Sequence, residues 1–141
     1  MDGTNIERRC YEAFGRVDFD FSLLFGKVTR GTRLEHAHYF TAALSRTAPA
    51  QEIAAQSGRF NVLNAMPQVT LHLGRYQPRT TTCRLCHCQF PVFVEKGTDV
   101  AAGVMLVECA IRRRAEVIFL LAGDNDYLPA LRLHSRKGCG W

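Results

Sequence analysis

The sequence predicts an α/β domain, a mainly parallel sheet held between helical layers. Residues 117–122 are apolar without a break, the mark of a central strand covered on both faces. Val69, Leu71 and Leu73 alternate with Thr70 and His72, as in a half-buried strand. Segments with helical spacing lie before, between and after them, so helices and strands alternate along the chain.

Taken in order, Ile6, Cys10 and Phe14 recur at helical spacing and Gly15 supplies a stop. Asp20 reads as the N-cap of a second helix with Phe21, Leu24, Phe25 and Val28 on one face. Residues 34–42 read as a strand, and a mainly helical stretch runs from Pro49 to about Ala65, weakened at Gly58. The strand that begins at Val69 ends near Tyr76. A loop or small insertion at about 77–95 carries a cysteine cluster. A helix then runs from about Asp99 to Arg113, with Val100, Val104, Val107 and Ile111 expected on its inner face. After the apolar strand, a last helix starts near Tyr127 and runs into Lys137 and Gly138. With no repeat, low-complexity segment or linker, residues 1–141 read as a single domain.

An apolar share of 47% and a charged share of 22% suit an ordinary globular protein. No apolar run is long enough to span a bilayer and no secretory leader is evident, so a cytoplasmic place without a membrane partner is expected. The formal charge of +5 agrees with a polyanionic partner without requiring one. The run Arg112, Arg113 and Arg114 ends a helix, where cations suit the dipole.

Two segments carry candidate chemistry. In Gly123-Asp124-Asn125-Asp126-Tyr127, two carboxylates follow a buried strand, at the carboxyl end where parallel sheets bind ligands. Either aspartate alone could cap a turn. Asp99 stands at a helix start, where a cap is the simplest role. Asp2-Gly3-Thr4-Asn5 is a turn directly before an amphipathic helix.

These segments, with Lys96-Gly97-Thr98-Asp99-Val100 between them, occur in the order found in NYN domains, and the chain resembles that family. The resemblance implies a three-layer α/β/α, PIN-like fold with a mainly parallel sheet. It also implies a carboxylate cluster that binds Mg²⁺ or Mn²⁺ and cleaves RNA, single-stranded RNA being the expected substrate. Asp2, Asp99 and Asp126 are then the expected ligands, Asp124 a ligand or an orienter of the attacking water. Asn5 would position phosphate or metal-bound water. Clustered carboxylates repel unless a cation neutralises them, and hard oxygen donors select such ions. The chain departs from the pattern in three ways. Only Met1 precedes Asp2, so the first strand reads as truncated. Met105 stands where many relatives have a further aspartate, and the chain stops soon after the last helix.

Cys83-Arg84-Leu85-Cys86-His87-Cys88 offers soft ligands for a structural zinc, with Cys83, Cys86, Cys88 and His72 as the candidate set. A cysteine-rich loop that binds nothing is the other reading. A subset of the NYN-like sequences carries a similar insertion. Cys10 and Cys109 read as small core residues, His36 and His38 receive no role, and Arg75 and Tyr76 could meet phosphate and base. The functions to be separated are therefore a metal-dependent ribonuclease, a non-catalytic RNA-binding or assembly module with a zinc-stapled loop, and a hydroxylase of the kind named on some similar sequences. A homo-oligomer fits any of them.

Overall fold

Extended backbone sends successive side chains to opposite faces, and the strand Ala37–Ala43 (β1) uses both. Tyr39 and Phe40 are each buried, on opposite sides. The computed structural model describes residues 1–18 and 20–136. Its elements are α1 (Gly3–Phe14), α2 (Phe21–Thr29), β1, α3 (Ala50–Asn64), β2 (Val69–Thr82), β3 (Gln89–Lys96), α4 (Thr98–Arg112) and α5 (Leu128–Arg136).

The three strands lie in the order β1-β2-β3. β1 pairs with β2 in parallel, from Ala37 opposite Val69 to Ala43 opposite Arg75. β2 pairs with β3 antiparallel, from Arg75 opposite Lys96 to Thr82 opposite Gln89. Along the other edge of β1, Asp2 forms a parallel bridge with Phe40. The Phe40 N–H donates to Met1 O at 2.9 Å, and the Met1 ammonium donates to His38 O at 2.8 Å. The Asp2 N–H turns the opposite way and donates to Leu121 O at 2.8 Å. Two residues thus join β1 to the extended segment 117–122 before the chain bends into α1.

Past that bend, a side chain satisfies β1. Buried Gln56 of α3 donates its amide to Ala42 O at 3.0 Å and accepts the Leu44 N–H at 2.8 Å.

Helices pack against both faces. On one, Phe21 and Phe25 of α2 and Leu63 of α3 close over Tyr39, with Val69 and Leu71 beside them. The Phe21 ring meets Tyr39 edge-on, with centroids 5.6 Å apart. The Tyr39 hydroxyl donates to Glu7 Oε1 at 2.9 Å, and Arg59 donates to Glu7 Oε2 at 2.9 Å, tying α1, β1 and α3 together. On the other face, Ala102 and Leu106 of α4 and Tyr127 surround Phe40, with Met105, Ile118, Leu120 and Ala122 packed around them.

The helix starts and stops follow the sequence. Asp2 and Asp20 cap α1 and α2 through their side chains, and Gly15 ends α1 at φ 68°. Other expectations need correction. The inner face of α4 is Thr98, Ala102, Leu106 and Ala110, whereas Val100, Val104 and Ile111 are exposed. The small alanines let the helix approach Phe40, and the larger valines are left outside. The segment 117–122 is covered on one face only, since Val117 and Phe119 remain 45% exposed. The expected loop at about 77–95 is mostly a β-ribbon, because β2 continues to Thr82 and pairs there with β3. β1 spans 37–43 rather than 34–42. The three arginines do close α4: Arg113 is its left-handed cap, and Arg112 and Arg114 each reach Glu108 at 3.3 Å. The expected end of the last helix at Lys137 and Gly138, like Cys139, lies outside the described residues. No described helix is long and apolar enough to cross a membrane.

A Cβ at Gly3 would collide with the Tyr39 ring, which is 1% exposed and cannot withdraw. Gly3→Ala should cost about 1–3 kcal/mol by overpacking. Gly58→Ala, in an α3 position with nothing within 4 Å, should instead add about 0.5–1 kcal/mol. Thermal unfolding of both variants checks the opposite signs.

Candidate functional site

The carboxyl end of β1 gathers side chains from distant parts of the chain. Asp2 leaves the sheet in an extended conformation (φ −82°, ψ 98°) and caps α1. Its Oδ1 accepts the Asn5 N–H at 2.9 Å and its Oδ2 accepts the Asn5 side-chain amide at 3.0 Å. Asn5 Oδ1 in turn accepts from Arg8 at 3.0 Å. A Cβ at Gly123 would lie 2.7 Å from that same Asn5 oxygen, so glycine there lets Asn5 press against the segment bearing Asp124. Asn5 therefore orients Asp2.

Asp124 and Asp126 follow as the chain turns into α5. The Asp126 N–H donates to Asp124 Oδ1 at 3.0 Å, the turn that either aspartate alone would suggest. Tyr127 then inserts into the core beside Phe40 and is 3% exposed. Asp99 lies in the first turn of α4. That helix start sits close to the sheet because Gly74 has no side chain: a Cβ there would lie 2.6 Å from Thr98 Cγ2 and 2.8 Å from Lys96 O.

Tyr127 is where these acids meet. Its hydroxyl lies within reach of the Asp99 carboxylate. Burial, followed by the charges of Asp2, Asp99 and Asp124, holds its pKa well above the ordinary phenol value. Asp2, Asp99 and Asp124 thus act on one hydroxyl from three remote stretches of chain. Asp126, expected among the direct ligands, is exposed and joins the group through its backbone. Among the described residues, no three His, Cys, Asp or Glu side chains converge tightly enough to hold a metal ion. The donors are nonetheless hard oxygens, and Asp99 and Asp124 are exposed carboxylates, so their chemistry fits Mg²⁺ or Mn²⁺.

A second layer was not legible in sequence. Burial, then Glu95 and Glu7, raise the Tyr76 pKa, and Thr4 acts the other way. The Thr4 hydroxyl lies 3.2 Å from that of Thr41. Glu95 Oε1 is buried with no hydrogen-bond partner among the described residues. Tyr127 closes one of the quoted motifs and Glu95 directly precedes another, which is the only signal in the sequence that points to them.

The proposed zinc set separates. The Cys86 and then the Leu85 N–H, followed by the Cys86 side chain, lower the pKa of Cys83. Cys88 is exposed and forms no three-residue group with them. His72 lies eleven residues back along β2, more than about 30 Å away by strand rise. It stacks on Phe40 with centroids 4.5 Å apart, and its Nε2 is 3.0 Å from His38 Nδ1. Cys10 and Cys109 are half-buried.

Compared with protein-family models, curated proteins and solved structures, the chain matches none.

The histidine cluster has a pH consequence. Burial, then His36, His72, the Met1 ammonium and Arg114, lower the His38 pKa to about 4. An unfolded histidine takes up its proton near pH ~6.5. The unfolded chain therefore binds the proton first as the medium acidifies. The stability from neutral His38 is complete above about 6.5 and is lost as pH falls toward about 4. Because the imidazole is only half-buried, solvent screening limits the loss to about 1–2 kcal/mol. Denaturant titrations across this window should show that fall, and His38→Gln should flatten it.

Proposed function

We propose that this chain is a NYN-type, PIN-like domain with three α/β/α layers and that it cleaves single-stranded RNA with a Mg²⁺ or Mn²⁺ ion. The observation that supports the reading is that the charges of Asp2, Asp99 and Asp124 all act on the Tyr127 hydroxyl and help to raise its pKa. Those residues belong to the three motifs that resemble the family.

Asp2, Asp99 and Asp124 would hold the ion, with Asp126 on the adjoining turn able to join them. When bound, the ion polarises a phosphodiester and lowers the pKa of an attached water. Asn5, which donates to Asp2 through both its backbone N–H and its side-chain amide, fixes that carboxylate at the start of α1. Burial and the neighbouring acids hold the Tyr127 pKa well above the ordinary phenol value, so it adds no negative charge to an acidic site. The net charge of +5 favours approach of an RNA strand.

A second reading, RNA binding without cleavage, draws on two facts. Met105 packs into the Phe40 core where relatives carry a further carboxylate, and no three acids close on a single point among the described residues.

Cleavage of a single-stranded RNA in Mg²⁺ or Mn²⁺ separates them. Asp99→Asn and Asp124→Asn should each lower the rate by about 100-fold, equivalent to about 2.7 kcal/mol of transition-state stabilisation, with circular dichroism unchanged. Salt-sensitive RNA binding that survives both substitutions, with no metal-dependent cleavage by the parent chain, would leave only the binding reading.

A further inference from the structure

α4 buries Thr98, Ala102, Leu106 and Ala110 and turns a second apolar stripe outward. Val100, Val104 and Ile111 are 71%, 61% and 63% exposed, and Val107 between them is half-buried. At 3.6 residues per turn the four fall within a sector of about 60°, nearly opposite the side that meets Phe40. Beside them Ala101 is exposed, and a Cβ at Gly103 would meet nothing within 4 Å, which lets another backbone come close. Val104, Val107, Glu108 and Ile111, with Arg112 at the rim, frame a shallow groove. Positions i, i+3, i+4 and i+7 of one helix are the hole that receives a side chain in knobs-into-holes packing.

The spacing of the stripe selects its occupant. Steps of four, three and four residues read the same from either end. A two-fold axis across the middle of α4 therefore sets Val100 against Ile111 and Val104 against Val107 of a second copy. Val104 of each copy then enters the groove of the other. Charge fixes the direction. Arg112, Arg113 and Arg114 stand at the carboxyl end of α4 and outnumber Glu108. The charges of Asp2, Asp99 and Asp124 act together at the opposite end and outnumber Lys96. Antiparallel helices bring the basic end of one copy beside the acidic end of the other, whereas a parallel pair would set like charges together.

We propose that the outward face of α4 is a dimer interface, covered by the same face of a second copy of this chain packed antiparallel to it. The contact is isologous, each copy supplying the same patch. Valine keeps one preferred χ1 in a helix, so docking costs these side chains little freedom. A single helix pair buries less than the about 1,200 Å² of a standard interface, so the dimer is a weak one, with a dissociation constant on the order of 10 µM. The inference goes beyond the ribonuclease reading, and its test follows mass rather than cleavage, so either can fail without the other.

Sedimentation velocity of the full chain, kept reduced, from about 1 to 500 µM brackets that constant. The parent should pass from monomer to dimer across the range. Val104→Asp sets an unpaired carboxylate in the groove and should raise the dissociation constant at least about 30-fold, with circular dichroism unchanged. Val100→Glu and Ile111→Lys, both at exposed positions, should each weaken the dimer alone. An equimolar mixture of the two should restore it, because the antiparallel register sets residue 100 of one copy against 111 of the other. A parent that stays monomeric at the highest concentration overturns the proposal and leaves the face to an unlike partner. A dimer that Val104→Asp leaves intact lies elsewhere on the surface, and a mixture that stays monomeric rejects the antiparallel register; either result overturns the proposal too.

Discussion

Two residues hold this architecture together. The strand β1 and the segment 117–122 stand on either side of Met1 and Asp2, and neighbouring strands are about 4.8 Å apart. Direct pairing across two such spacings cannot occur, so an intervening backbone has to carry the hydrogen bonds. Met1 and Asp2 do so at the level of Phe40, bonding to β1 on one side and to Leu121 on the other. Because the chain then bends at once, the Asp2 side chain is free to cap α1 and faces the acids that arrive from α4 and from the turn after 122. Sheet continuity, helix initiation and the placement of one carboxylate all follow from this one crossing point.

Tyr127 couples that arrangement to the core. Its ring belongs to the Phe40 cluster, and its hydroxyl belongs to the acidic group. A rigid aromatic with a polar tip can fix a hydrogen bond at little entropic cost, since the packing of its ring already determines where the oxygen lies. The acids themselves are less constrained. Asp2 is doubly bonded to Asn5, but Asp99 and Asp124 sit at exposed element ends. The buried part of the site is thus its floor, and the exposed part is its carboxylate rim.

The sequence revealed most where a single residue controls local backbone. Asp2, Gly15 and Asp20 mark their helix boundaries because capping and left-handed φ are decided within a few residues. Faces were harder. α4 carries two apolar stripes, and bulk favoured Val100, Val104 and Ile111, whereas close approach to Phe40 selects Ala102 and Ala110. The uniform run 117–122 contains no alternation, so nothing in it states that Phe119 lies toward the surface. The segment with the cysteine cluster read as a loop, yet it is mostly a two-stranded ribbon, whose free edges tolerate Pro78 and Pro91. The acidic motifs singled out Asp2, Asp99 and Asp126 as direct ligands, whereas the charges that act on Tyr127 are those of Asp2, Asp99 and Asp124. The part played by Tyr127 depended on contacts between remote segments, which no spacing within the chain displays.

One buried side chain sets a limit on how this sheet can be extended. The amide of Gln56 occupies the carbonyl of Ala42 and the N–H of Leu44, imitating one peptide unit of an adjacent strand. An extended segment approaching that margin from another molecule finds both valences already taken, and displacing them would bare a buried amide. The glutamine works as an end-stop: lateral growth halts where β1 leaves Asp2, and the sheet is closed to edge-to-edge stacking on that stretch.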